Sequence, residues 1–168
     1  YLQKSGDSLA YVFSQPFKAC LPYSHGLAGV PDSSKKWGFI GMDGSWQIPA
    51  TYDQVDTFSE GLAAVKSGKL WGAIDKTGAM IIPAQFLYSF SFSEGLAYVS
   101  DGKTDKFIDT QGRTAFVANS YFTYSKHSFH EGLVLLTSRS SWSGEIDASV
   151  YLDRTGKEVF KLPAECTD

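Results

Sequence analysis

Residues 37–99 say the same thing twice, and that constrains the fold more than any other feature of the chain. Trp37-Gly38-Phe39-Ile40 returns as Trp71-Gly72-Ala73-Ile74, and Ile48-Pro49-Ala50 as Ile82-Pro83-Ala84. Phe58-Ser59-Glu60-Gly61-Leu62-Ala63 returns as Phe92-Ser93-Glu94-Gly95-Leu96-Ala97, and each offset is 34 residues. A fixed period of this size marks a repeat architecture. Each copy is one small unit that cannot bury its apolar face alone and must stack on its neighbours.

Weaker copies flank the clean pair. The turn Ile74-Asp75-Lys76-Thr77-Gly78 recurs as Ile108-Asp109-Thr110-Gln111-Gly112 and Leu152-Asp153-Arg154-Thr155-Gly156, and more loosely as Ile40-Gly41-Met42-Asp43-Gly44 and Leu2-Gln3-Lys4-Ser5-Gly6. Ser24-His25-Gly26-Leu27-Ala28 and His130-Glu131-Gly132-Leu133-Val134 echo the Ser-Glu-Gly-Leu-Ala segment. We count four to five tandem copies over 1–34, 35–68, 69–102, 103–147 and 148–168, within a single domain spanning 1–168. Divergence at the ends is expected, since a terminal repeat has one face without a neighbour.

One copy, read from residue 61 to 94, is all-β. The apolar runs Leu62–Val65, Trp71–Ile74 and Ala79–Ile82 are separated by the turn clusters at 66–69 and 76–78. Short apolar runs between tight turns predict a three-stranded antiparallel meander. Pro83, with no N–H to donate, is expected to close the third run. The segment 84–94 leads to the next meander and leaves room for a fourth, irregular strand around Phe86–Phe90. No stretch shows helical spacing of apolar residues for more than a turn or two. Stacking would align Trp37 with Trp71, Phe58 with Phe92 and Leu62 with Leu96 along a core, each buried ring contributing about 2–3 kcal/mol.

Two arrangements fit this reading: an open solenoid-like array, or a propeller-like ring of small blades. The two cysteines distinguish them. Cys20 and Cys166 lie in comparable loops of the first and last copies. A disulfide between them requires Cα atoms within ~7 Å, which a ring permits and an open array does not. Bonded or free, the pair also reflects the redox compartment.

Composition narrows the function. A net charge of −3, with no basic run longer than Lys35-Lys36, excludes the concentrated basic surface that nucleic acid requires. No apolar run approaches the ~20 residues of a membrane-spanning helix. The sequence begins at Tyr1 rather than Met, which we read as a mature or trimmed chain from which a signal peptide could have been removed.

Lys36-Trp37-Gly38-Phe39-Ile40, Ile48-Pro49 and Phe58-Ser59-Glu60-Gly61-Leu62-Ala63-Ala64-Val65 together resemble the bacterial WG-repeat family, also called KWG repeats. The likeness is strong over 36–99 and partial over 106–136, where Lys106-Phe107 stands in place of Trp-Gly. The resemblance implies bacterial proteins, often exported or surface-associated, built as arrays of short β-repeats. Its motif is structural, so it carries over no catalytic residues.

Three sets of residues bear on chemistry. Glu60, Glu94 and Glu131, each before Gly, form either a row of carboxylates for a cation or turns in which Glu accepts local backbone bonds; the turn role is expected. Asp75, Asp109 and Asp153 are single carboxylates per turn. A hard-cation loop needs several oxygens in one stretch, so these too read as turn formers. His25, His127 and His130 are the only imidazoles. The spacing of His127, His130 and Glu131 resembles metal-ligand spacing only superficially. No nucleophile elbow, phosphate loop or Cys-x-x-Cys motif occurs, and neither metal nor cofactor is expected.

The informative aromatics are those outside the repeat. Trp46 and Trp142 match no repeat position. Trp142 lies with Arg139 in the Ser-rich insertion 137–147, and Tyr121 and Tyr124 lie in the lengthened segment 113–130. Insertions on a repeat scaffold commonly form binding sites. Trp142 folding back as a cap on the core is the alternative. An exposed aromatic cluster suits a protein hot spot or the stacking of a sugar ring. The expected function is therefore a non-enzymatic protein-binding or scaffold module of the bacterial envelope, periplasmic or extracellular, one concrete form being an immunity or inhibitor-type protein. The alternative is a cell-envelope carbohydrate or peptidoglycan binder.

Overall fold

The computed structural model describes the backbone of residues 2–5, 8–11, 20–118, 128–139 and 146–162, and the side chains of 20–118, 128–136 and 149–162. The described residues form fifteen strands and no helix. The chain divides into two compact units, Tyr1–Ala84 and Gln85–Asp168.

In the first unit, β1 (Leu2–Ser5) pairs with β2 (Ser8–Tyr11). A three-stranded antiparallel sheet follows, from β3 (Ala28–Pro31), β4 (Trp37–Ile40) and β5 (Trp46–Tyr52). The next sheet adds a short fourth strand: β6 (Gln54–Val55), β7 (Leu62–Ser67), β8 (Leu70–Asp75) and β9 (Met80–Phe86). The second unit holds β10 (Leu96–Ser100), β11 (Asp105–Asp109) and β12 (Thr114–Val117), then β13 (Leu133–Arg139), β14 (Ile146–Asp153) and β15 (Glu158–Leu162). Every pair whose register is resolved is antiparallel. The meander expected from residue 62 onward is therefore present, and it recurs.

Each unit has its own core. Leu27, Phe39, Ile48, Val55, Phe58, Ala63, Val65 and Ile74 pack together in the first, with Trp37 only partly buried at the rim. Leu96, Phe107, Ala118, Phe129, Val134, Leu136, Val150 and Leu152 form the second. Trp71 is buried as expected, as are Phe58, Phe92, Leu62 and Leu96.

Three expectations need correction. First, the prolines do not end the third strand: β5 runs through Pro49 and β9 through Pro83. Both are outer strands of their sheets, where a missing N–H costs no ladder bond. Second, no strand forms over Phe86–Phe90 beyond the end of β9. The fourth strand belongs instead to the preceding copy, as β6. Phe86, Phe90 and Phe92 bury themselves by edge-to-face contacts at 5.5 and 5.9 Å, which replaces strand pairing as the means of packing the connection.

Third, Lys106-Phe107 does not replace Trp-Gly. Gly72 lies opposite Val65, and Lys106 lies opposite Val99, so Asp105-Lys106 occupies the Trp-Gly position. The structure explains what that glycine does. Between the pairs Trp37↔Tyr52 and Phe39↔Ile48, four steps of β5 oppose two of β4. This bulge throws the Ile48-Pro49-Ala50 backbone across Gly38, where a Cβ would lie 2.5 Å from the Ile48 carbonyl oxygen and 2.7 Å from the Ala50 nitrogen. Gly72 meets the Ile82-Pro83-Ala84 backbone in the same way. Where a side chain stands at this position the bulge is gone: Lys106 pairs directly with Val117, and Val150 with Lys161.

Candidate binding surface

The Ser-Glu-Gly-Leu segments are two-residue hairpin turns. Ser59 and Leu62 exchange both backbone bonds, at 2.8 and 3.0 Å, with φ of 48° at Glu60 and 86° at Gly61. Positive φ at both central residues makes this a type I′ turn, which matches the twist of the flanking strands. The same reciprocal bonds close 24–27, 93–96 and 130–133, with His25, Glu94 and Glu131 also left-handed. Glycine at the second position suits such a turn. A left-handed glutamate or histidine at the first is uncommon and must be held there.

Contacts between successive turns provide part of that hold. Ser24 Oγ donates to the Phe58 carbonyl at 2.9 Å, and Ser93 Oγ to the Phe129 carbonyl at 2.6 Å. Gly132 N donates to Glu94 Oε2 at 2.9 Å. Glu94 thus accepts a backbone bond as expected, but from the next repeat rather than locally. Within each unit the successive turns lie close enough for a short side chain to span the gap. The recurrence of Ser at 24, 59 and 93 was the available signal for this staple.

The aspartates close the other turn. Asp75 Oδ1 accepts from Thr77 N, Thr77 Oγ1 and Ala79 N at 2.6–3.0 Å, while Gly78, at φ 85°, completes a type I turn with a bulge. Asp153 does the same with Thr155 and Lys157, and Asp109 with Gln111 and Arg113. The Thr77 hydroxyl, and then the turn N–H groups, hold Asp75 below its ordinary value; the Thr155 hydroxyl, and then the N–H groups of Thr155 and Lys157, do so for Asp153. These carboxylates are occupied within their own turns. Among the described residues no three His, Cys, Asp or Glu groups gather as metal ligands. Lys36 Nζ bonds Asp53 Oδ1 at 2.6 Å and holds that carboxyl below its usual range, with Gly68 N on the other oxygen at 2.7 Å.

Of the residues singled out for binding, Trp46 is exposed at the start of β5, opposite Ile40. Arg139 ends β13 and pairs with Ile146; its side chain, and all of Tyr121, Tyr124 and Trp142, lie outside the described residues. Cys20 is exposed and unbonded among the described residues, and Cys166 lies outside them. His25 and His130 are exposed at the hairpin turns, and His127 is outside the described residues.

Sequence reasoning missed the company Trp46 keeps. In the first unit Met42, Met80 and Ile81 are also exposed, all in the third strands or the turns that lead into them. In the second unit Val117, Val159 and Phe160 are exposed on β12 and β15, again third strands. Trp46 and Met80 hold equivalent positions, 34 residues apart. Alternation did not carry this signal: Trp46 and Met80 stand two residues before the inward Ile48 and Ile82 and would share their face in a regular strand, whereas the register shifts between Phe39↔Ile48 and Ile40↔Trp46 and Trp46 is exposed.

With the bulge, the Trp-Gly pair and the paired turns in view, the comparison with known families is direct. The family described as WG containing repeat matches residues 37–71 and 71–104. These are WG repeats. The matched stretch covers the WG copies that retain both the glycine and the Ile-Pro-Ala bulge over it. The copies outside it have lost the Trp-Gly pair at the position that Asp105-Lys106 fills. No curated protein matches the chain.

Proposed function

We propose that the chain is a non-enzymatic protein-binding module in which WG-repeat meanders serve as a rigid frame and their outer strands carry the contact surface. The observation that carries this reading is that, in each unit, outward apolar side chains stand on the third strands or the turns that lead into them, the indole of Trp46 among them at 42% exposure. Large apolar and aromatic groups left in water on a rigid frame are the usual anchors of a protein interface. The insertions at 113–130 and 137–147, with Tyr121, Tyr124, Arg139 and Trp142, are read from the sequence alone as further partner contacts. We place the protein in the bacterial envelope, periplasmic or extracellular, as an immunity or inhibitor-type partner of another protein. Its repeats continue as an open array or close as a ring; small-angle scattering separates an elongated particle from a compact one.

The second reading is a carbohydrate or peptidoglycan binder, favoured by the exposed indole of Trp46, a suitable platform for a sugar ring. Both are tested with one pair of baits, the wild-type chain and Trp46→Ser, on native lysate and on purified cell wall. A protein retained by the first bait and lost with the second supports the proposal. Retention on cell wall that depends on Trp46, with no protein captured, overturns it in favour of the carbohydrate reading.

A further inference from the structure

Trp46 and Met80 hold the same position in successive repeats of the first unit, and both stand in water, at 42% and 45% exposure. They are also near one another. A Cβ on Gly78, two residues before Met80, would lie 3.4 Å from Cγ2 of Ile48, two residues after Trp46. Ile81, beside Met80, is exposed, and so are Pro49 and Pro83 further along the two strands. Neither β5 nor β9 carries a charged side chain. In the second unit the same position holds Thr114, opposite Ile108, and Glu158, opposite Leu152. The apolar pair is thus confined to two adjacent repeats.

Charge enters only at the turns ahead of these strands, and it differs in sign. The turn before Trp46 carries Asp43 and the turn before Met80 carries Lys76, both exposed. The patch therefore has an uncharged centre, an acidic corner beside the indole and a basic corner beside the thioether.

We infer that the occupant of this patch is a second copy of the chain, related by a two-fold axis that runs between β5 and β9 and sets Trp46 of each copy on Met80 of the other. A two-fold contact presses one patch against itself with its halves exchanged. An uncharged centre then meets no like charge, and the exchange brings Asp43 of one copy to Lys76 of the other. The indole meets a thioether, a favourable contact for the polarisable sulfur. The inference rests on the reading of the third strands as the contact surface and names what covers them. Few large side chains take part on each side, so the contact belongs among the small interfaces, with a dissociation constant of about 10 µM.

Sedimentation equilibrium on the purified chain tests this, at loadings that bracket that constant. A monomer–dimer equilibrium is expected. Trp46→Lys and Met80→Asp should each weaken it at least about tenfold, and a thermal melt near that of wild type shows that each variant folds. If either melts low, Trp46→Ser and Met80→Ser carry the same expectation. An equimolar mixture of Trp46→Lys and Met80→Asp should dimerise again: one Trp46–Met80 contact is native, and at the other the two substituted positions meet as an ion pair. A wild-type chain that stays monomeric overturns the inference. So does a dimer that survives both variants, or a mixture that fails to recover. The lysate baits judge the underlying reading separately. A foreign protein lost with Trp46→Ser, from a chain that is monomeric alone, leaves the contact surface standing and removes only the second copy.

Discussion

Gly38 lies against the backbone of Pro49: a Cβ at position 38 would sit 2.7 Å from the Pro49 carbonyl carbon. The glycine of Trp-Gly and the proline of Ile-Pro-Ala are thus two halves of one packing solution, held by a bulge that the proline tolerates on an outer strand. Gly38→Ala and Gly72→Ala should each destabilise by about 3 kcal/mol, because the obstructing atoms are backbone and cannot turn aside. Denaturant unfolding monitored by tryptophan fluorescence measures this. Lys106→Ala, where the bulge is absent, should cost well under half as much.

The staple between turns predicts a different signature. Glu94→Ala removes the acceptor for Gly132 N and should cost about 1 kcal/mol, whereas Glu94→Gln keeps an acceptor oxygen and should cost less. Hydrogen exchange at the Gly132 amide is the direct readout. Unchanged protection in Glu94→Ala would show that the bond carries no stability.

The turn aspartates set the acid limb of stability. Asp75 and Asp153 have folded values below their ordinary 3.8. Groups depressed on folding contribute stability that is fully present above the unfolded value and lost as pH falls through the folded one. Urea midpoints should therefore be flat from neutral pH to about 5 and fall below the ordinary carboxylate range. Asp75→Asn with Asp153→Asn, which keeps Oδ1 as acceptor but cannot ionise, should flatten that fall.

Trp46→Ser should leave stability within about 1 kcal/mol of wild type, since the indole is 42% exposed and belongs to neither core cluster. A thermal melt checks this. A larger loss would mean that Trp46 supports β5 rather than waiting for a partner.

The periodicity made the meander legible, because turn residues and apolar runs are local signals. Residues 62–82 fold as read. The Pro83 stop was misread because proline was judged as a lone ladder breaker, when its effect depends on whether the strand has a second neighbour. The register of Lys106 was misread because Phe107 looks like a motif aromatic; only pairing with Tyr98 shows that it answers Ala73. The outward row around Trp46 was half hidden, since Met80 and Ile81 read as core until one side of the strand is known to be open. The stapling hydroxyls were unreadable in one respect: their partners are backbone carbonyls, which leave no trace in residue type.

That last point sets how the chain tolerates its own drift. In each staple the earlier repeat supplies the side chain, Ser24, Ser93 or Glu94, and the later one only main-chain atoms, at Phe58, Phe129 and Gly132. A repeat emerging from the ribosome finds its attachment points already displayed by the one made before it. Because these bonds grip main-chain atoms, they set no requirement on the later repeat's residue types, and His130 occupies the position of Ser93 while the Phe129 carbonyl ahead of it still accepts from Ser93. The joint has a direction: side chain from the earlier repeat, main chain from the later.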